Sequence, residues 1–259
     1  MRIARFTRAD DEPRFALVGV EGGTEMLAVL AGDPLYTGVS LTGDKVPVEE
    51  VRLLAPVLPR SKVVGIGRNY ADHAAELGNE LPTEPLVFLK PNTSVVGPND
   101  PVMYPQQTQD LHFEGELAVV IGRICRDVPV PDVPKVVHGY TIGNDVTARD
   151  LQDRDGQWAR AKGFDSFCPL GPWIETDLDV TDLAVRTTLN EELRQDGRTS
   201  QLIFDVPTLV AHVSSFMTLL PGDVILTGTP AGVGPMVPGD RVSVSIDGIG
   251  TLTNQVVAS

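Results

Sequence analysis

Short apolar runs, rich in β-branched residues and closed by glycine or proline, set the pattern of this chain. They are KVVGIG (62–67), PLVFLK (85–90), ELAVVIG (116–122), HGYTIGNDV (138–146), DVILTG (223–228) and RVSVSIDGIGTLTN (241–254). Runs of this length with such boundaries predict strands, and Pro221-Gly222-Asp223 and Pro238-Gly239-Asp240 supply turn chemistry before two of them. Helical periodicity is scarce. NYADHAAELG (69–78) predicts a short helix stopped by a glycine, and TARDLQDRDGQWARAKG (147–163) a helix in its first turns. The clearest is VPTLVAHVSSFMTLL (206–220), with Pro207 near its start and Leu209, Val210, Val213 and Phe216 on one stripe. The fold class predicted is mostly β with a few helices (α+β). The first fifty or so residues read as a small antiparallel β unit, and EEVRLLAPVLPRSK (49–62) as a connector into the main body.

Within that pattern, LHFEGELAVVIG (111–122) holds an anomaly. Leu117–Ile121 is continuously apolar, as in a strand covered on both faces, yet Glu114 and Glu116 stand immediately before it. Residues i and i+2 of an extended chain project to one side, so both carboxylates are aimed at one spot. His112 would share that side if the strand is regular, as a supporting residue rather than a ligand. Asp145 emerges at the end of the run GYTIGNDV. Three carboxylates together would repel one another, and a divalent cation removes that cost. With oxygen ligands only, the set suits Mg²⁺, Mn²⁺ or Ca²⁺ rather than Zn²⁺. Composition alone favours reading Glu114-x-Glu116 as the solvated start of a strand.

A second constellation lies in GRNYADHAAELG (67–78). His73 and Glu76, spaced i, i+3, are neighbours on a helical turn, and a histidine oriented by a carboxylate makes a general base near neutral pH. Arg68 and Asn69, at the C-terminal end of the strand KVVGIG, are placed to bind an anionic substrate. The same residues also fit a polar surface turn backed by Ala71, Ala74 and Leu77. Gly65-x-Gly67 is not a dinucleotide fingerprint, because Tyr70 stands where a third glycine belongs. LTGTPAGVG (226–234) lacks the Gly-Lys-Ser/Thr ending of a P-loop; its glycines permit a tight turn or close approach of backbone to a ligand, with Thr227 and Thr229 as possible hydroxyl donors.

Composition narrows the classes further. The 259 residues, 42% of them hydrophobic, suffice for one large domain or a main domain with an appendage. A net charge of −14 disfavours nucleic acid and anionic membrane as partners. No apolar stretch approaches the ~18 residues of a membrane span, and MRIARFTRADDEPRF has no signal-peptide core. Two cysteines, Cys125 and Cys168, without metal spacing read as buried packing residues of a cytoplasmic protein.

Seven segments, in order, resemble the fumarylacetoacetate hydrolase family over about Ser61 to Val256: KVVGIGRNYADHAAELG, PLVFLKPNTSVVGPND, LHFEGELAVVIG, GYTIGNDVTARDLQ, AKGFDSFCPLGPW, LLPGDVILTGTPAGVG and GDRVSVSIDGIGTLTN. The resemblance is to the acylpyruvase and 2-hydroxyhepta-2,4-diene-1,7-dioate isomerase-like branch. It implies a mixed β-roll over 59–259 behind a small N-terminal β cap, 1–58, and a homodimer. It also implies Mg²⁺ or Mn²⁺ on Glu114, Glu116 and Asp145, a catalytic His73–Glu76 pair on a lid, an active-site Lys162, a substrate-binding Gln152, and Thr229 in the same pocket. The extra aspartate ligand of the larger fumarylacetoacetate-cleaving branch has no counterpart here. The implied activity is C–C hydrolysis of an acylpyruvate or decarboxylation of an oxo-diacid through a metal-bound enolate. Isomerisation of an unsaturated oxo-diacid is the alternative, and a metal-stabilised binding protein without turnover is an alternative of another class.

Overall fold

The computed structural model describes residues 1–8, 12–76 and 80–259, apart from the side chain of Ala74. Most of the predicted strands join one mixed sheet. Its order is Leu41–Pro47, Thr24–Leu30, Arg14–Glu21, Arg2–Thr7, Cys168–Glu175, Val137–Asn144, Gly115–Ile121, Val224–Leu226, Val63–Gly67 and Leu86–Lys90. Val224–Leu226 and Val63–Gly67 run parallel, while Gly115–Ile121 is antiparallel to both its neighbours. A five-stranded sheet, Glu192–Arg198, Ala184–Leu189, Arg241–Ile246, Gly250–Ala258 and Val102–Tyr104, packs against it. A three-stranded one joins Thr147–Ala148, Leu111–Phe113 and Gly234–Met236. The architecture is mostly β, as the pattern predicts, and its sheets are mixed, as the family resemblance implies.

Gly115–Ile121 is buried at every position because two cores claim its alternate faces. Leu117, Val119 and Ile121 pack with Leu209, Val210 and Val213 of the helix and with Val185 and Val244 of the five-stranded sheet. Ala118 and Val120 pack with Val63, Val224, Leu226 and Ile174. Fully burying a side chain of this kind is worth about 1.5–3 kcal/mol, so this central strand is fixed in register by both sides at once.

The N-terminal strands form the expected antiparallel unit, and they continue the large sheet, because Arg2 and Ile3 pair with Glu175 and Ile174. The predicted connector contains a short strand of its own, Arg52–Leu54, on Arg2–Thr7.

Helical segments are shorter than their patterns. The last runs Val206–Phe216, with Asp205 capping the Thr208 amide at 2.9 Å; Leu219, read as helical, instead pairs with Cys125. Phe216 leaves the apolar stripe and is 46% exposed, edge-on to His212. The 147–163 segment becomes strand Thr147–Ala148, helix Arg149–Asp155 stopped by left-handed Gly156, and a single turn, Ala159–Lys162. Helix Ala71–Glu76 forms as expected, while its predicted stop at Gly78 lies outside the described residues.

Candidate metal centre and active site

Glu114 stands where the chain passes from one sheet to another, between strand Leu111–Phe113 and strand Gly115–Ile121. The Asn144 side-chain oxygen accepts the Glu114 amide at 2.9 Å, and the Glu114 carbonyl accepts the Asp145 amide at 2.8 Å. These backbone ties draw the ends of two adjacent strands together. Glu114, Glu116 and Asp145 are consequently buried side by side, each offering an oxygen within 4.8 Å of the others. The i, i+2 reading of the glutamates and the strand-end reading of Asp145 thus meet at one point.

The segment between the glutamates is locked from below. Gln195 accepts the Gly115 amide at 3.0 Å, and Thr229 donates to the Gly115 carbonyl at 2.9 Å. Gln195 in turn donates to the Thr229 hydroxyl and the Pro230 carbonyl, both at 2.7 Å. Thr227 donates to the Leu117 carbonyl at 2.9 Å. Both threonine hydroxyls therefore hold the strand that carries Glu116, and Thr229 also lines the cavity.

Three buried or nearly buried cations face the carboxylates. Lys162 donates to Glu114 at 2.7 Å and to Asp145 at 2.5 Å; Lys90 donates to Asp145, and Arg149 to Glu114. Burial alone would raise the Glu114 pKa, yet Lys162 and Arg149 hold it far below the usual carboxylate range. Burial alone would lower that of Lys162, but Asp145 and Glu114 raise it. Glu116 differs: among the described residues its hydrogen-bond donor is the Gly228 amide, at 2.7 Å, and no side-chain cation pairs with it. Burial, then Asp145 and Glu114, push its pKa well above the ordinary value. A buried oxygen-only triad with one carboxylate left uncompensated fits a hard divalent cation.

These groups floor a cavity of about 390 Å³. His73, 5% exposed, stands on its wall with Nδ1 3.4 Å from Glu76, whose carboxylate also accepts the Gly232 amide at 3.2 Å. Arg68, Gln152 and Thr229 line it too, as do Phe88 and Trp158, packed edge to face with centroids 5.3 Å apart. The pair explains GIG: a Cβ at Gly65 would lie 2.1 Å from the Phe88 ring, and one at Gly67 2.7 Å from Trp158. These glycines admit an aromatic wall, not a phosphate. Gly228, at φ 101°, turns its amide toward Glu116 in the same way that LTGTPAGVG suggests for a close backbone approach.

Not every candidate reaches the cavity. Asn69 is fully buried and clamps backbone, donating to the Phe204 and Thr227 carbonyls and accepting the Phe204 amide. His112 is not among the cavity residues; its Nε2 lies 2.9 Å from Asp110, because the strand breaks at Glu114 instead of running on. Cys168 is buried, its thiol pushed up to about 12 by burial, whereas Cys125 is only half-buried. Lys90, Arg149 and Gln195 were not singled out from sequence. Lys90 closes an apolar strand and Arg149 opens a helix four residues after Asp145, and those positions are the available signals; Gln195, inside EELRQDGR, offers none.

A mixed β-roll carrying a buried acidic triad in a lysine- and arginine-lined cavity defines a class of metal-site proteins, and comparison with known proteins specifies it. The family model "Fumarylacetoacetate (FAA) hydrolase C-terminal" matches residues 62–257, and "Rv2993c-like, N-terminal" matches residues 1–56. The chain belongs to the fumarylacetoacetate hydrolase family. It is 53% identical to Protein Rv2993c of Mycobacterium tuberculosis, over 99% of this chain and 98% of that one. The crystal structure of a 5-carboxymethyl-2-hydroxymuconate delta-isomerase from Mycobacterium smegmatis superposes with a TM-score of 0.92 at 51% identity, covering 100% of both chains. A fumarylpyruvate hydrolase from Pseudomonas aeruginosa, crystallised with Mn²⁺ and pyruvate, matches with a TM-score of 0.74 at 37% identity, over 80% of this chain and 92% of that one.

Proposed function

We propose that this chain is a divalent-metal-dependent enzyme acting on 2-oxo acids, cleaving a C–C bond of an acylpyruvate by hydrolysis or of an oxo-diacid by decarboxylation. The observation that carries the reading is the buried triad with its uncompensated Glu116, in one cavity with the buried His73, which the exposed Glu76 holds from outside. Glu114, Glu116 and Asp145 would hold Mg²⁺ or Mn²⁺, the latter being the ion in the fumarylpyruvate hydrolase crystal. Such an ion, when bound, supplies Lewis-acid stabilisation of negative charge developing on the 2-oxo oxygen.

The chain's own groups supply the rest. Glu76 orients His73, which takes a proton from water and directs the hydroxide at the distal carbonyl. Breaking the C–C bond leaves its electron pair on the pyruvyl half as an enolate, which a proton then quenches. Gln152 accepts from Arg149 at 2.6 Å through its oxygen, which leaves its amide N–H groups as donors toward substrate oxygens. Lys162 and Arg149 balance the charge of the carboxylates around the reacting end. Loss of CO₂ from an oxo-diacid leaves the same kind of enolate and needs no water.

The enclosure of His73 favours one second reading: a base shielded from bulk water can carry a proton between two carbons of an unsaturated oxo-diacid. The isomerase neighbour supports it. A binding protein without turnover would have no use for a buried histidine on the wall of the same cavity, oriented by a glutamate. The implied homodimer is in keeping with the edge strand Leu86–Lys90, where Leu86 and Leu89 stand exposed. No helix among the described residues is long and apolar enough to cross a membrane.

The test is a panel of acylpyruvates, oxaloacetate and unsaturated oxo-diacids with Mg²⁺, with Mn²⁺ and with chelator. Glu116→Gln is expected to abolish ion-dependent turnover in a folded protein. Full activity of that variant under chelator would overturn the assignment.

A further inference from the structure

A second cavity, of about 410 Å³, opens where the N-terminal strands meet the main body, and it shares no lining residue with the cavity of the metal centre. Its floor is apolar. Phe15, Leu35 and Val57 come from the core that also holds Ala118 and Val120 of the central strand. Gly222, at φ 86°, closes the back, where a Cβ would lie 3.4 Å from Val57. Seams between two units are a common place for small-molecule sites.

Each unit contributes one arginine to this cavity. Arg5 stands on strand Arg2–Thr7, and Arg60 on the approach to strand Val63–Gly67. Arg5 is half-buried, and burial pulls its pKa down against the opposing charge of Asp33. The Arg60 guanidinium lies 4.1 Å over the ring of Tyr36, whose hydroxyl donates to the Pro221 carbonyl at 3.1 Å. Among the described residues neither guanidinium has a hydrogen-bond or ion-pair partner. In a chain with 35 acidic side chains against 21 lysines and arginines, that is unusual: Arg8, Arg14 and Arg52 of the same unit each find a carboxylate. Asp33, the one carboxylate among the described lining residues, caps the Leu35 amide at 3.0 Å and makes no ion pair. Two guanidinium groups against one carboxylate leave the cavity one positive charge in excess.

We propose that this cavity is a binding site, separate from the metal centre, for an organic monocarboxylate with an apolar body. The carboxylate is bound by Arg5 and Arg60, whose planar forks match it in paired hydrogen bonds. The body lies on Phe15, Leu35 and Val57. A single negative charge balances the excess, whereas a phosphate monoester would overshoot it. With one arginine from each unit, the bound anion clamps the N-terminal strands to the main body. The 2-oxo-acid reading of the metal centre is not needed for this site.

The experiment compares 3-phenylpropanoate with its neutral analogue 3-phenylpropanamide and with phenyl phosphate. Binding to the full chain is measured by calorimetry under chelator, so that no ion on the triad competes for the probe. The native protein is expected to bind 3-phenylpropanoate about 10- to 100-fold more tightly than the amide, the range of charge-assisted hydrogen bonds, and to gain Tm with it. Arg5→Met, which keeps the length of the side chain, should remove most of that preference and the Tm gain, and Arg5→Lys should restore part of both. Arg60→Met alters an exposed residue and keeps the test open if Arg5→Met folds poorly; it too should cut the preference. Arg68→Met, in the other cavity, should bind the probe as the native protein does. Equal binding of carboxylate and amide by the native protein, or an undiminished preference in both Arg5→Met and Arg60→Met, overturns the site. Loss of binding in Arg68→Met would place the probe at the metal centre and overturn it as well. Tighter binding of phenyl phosphate than of 3-phenylpropanoate overturns the monocarboxylate class.

Discussion

Of the three buried carboxylates, Glu116 is the one whose charge the protein leaves uncompensated, and that ties cation binding to pH. Its raised pKa means that the cation-free folded state keeps a proton that an unfolded chain releases near the usual carboxylate value. Stability from this group is present below the unfolded pKa and is lost as pH rises through the folded one. A cation takes the proton's place, so its binding releases the proton and tightens as pH rises. Thermal melts between about pH 5 and 8 should show a Tm gain from Mg²⁺ or Mn²⁺ that grows with pH; a gain that shrinks would contradict the linkage. His73 makes the second residue-scale prediction. His73→Ala should lower hydrolysis of an acylpyruvate by about 10²–10⁴-fold, the usual range for general-base catalysis, and decarboxylation of oxaloacetate far less. Equal losses in steady-state assays would remove the water-activating role. The shared direction of Glu114 and Glu116 was legible in sequence because strand period is a local rule, whereas Asp145 joined them as one ligand set through the family resemblance. Lys90 and Arg149 were not, because a buried cation has the same letter as a solvated one and only the fold brings it to a carboxylate.

At the scale of elements, the glycines of GIG tie the sheet edge to the pocket wall. Phe88, on edge strand Leu86–Lys90, leans over Gly65, its register partner on Val63–Gly67. Gly65→Ala would drive a methyl group into that ring, and overpacking of this kind costs about 1–3 kcal/mol. A Tm loss together with a weakened Phe88–Trp158 wall, read as altered Trp fluorescence, is the expected result; an unchanged melt and spectrum would show that the strand shifts freely. The sequence pattern located this strand pair and dismissed a nucleotide loop, but it did not tell what the small residues make room for. The same limit applies to 206–220, where Leu219 keeps a helical apolar spacing yet is recruited by Cys125 into a bridge. Hydrophobicity marks a position as inside without saying which neighbour will claim it.

For the whole molecule, the join between the N-terminal strands and the large sheet carries the main consequence. Arg2 and Ile3 pair with Glu175 and Ile174, and the amino terminus itself meets the Glu175 carboxylate. Removing residues 1–56 would uncover that strand edge and the apolar side chains beneath it, including Ile174 and Ala55's neighbours in the same core. The truncated chain is expected to aggregate, measured by light scattering of the refolded protein; a monodisperse, ion-responsive product would show that the remainder stands alone. That the N-terminal segment forms a small antiparallel β unit was expected from the sequence. Its continuity with the large sheet was not, because strand partners that are 170 residues apart are chosen by packing.

The ion pairs that three basic side chains make with Glu114 and Asp145 have a last implication. With Lys90, Arg149 and Lys162 seated on them, Glu114 and Asp145 are held in place by ion pairs of the chain's own. The ion then behaves as a tenant that can be exchanged rather than a rivet set during folding. Catalysis would follow whichever divalent species the surroundings provide, and a sample stripped of it should regain full rate on replenishment without any refolding step.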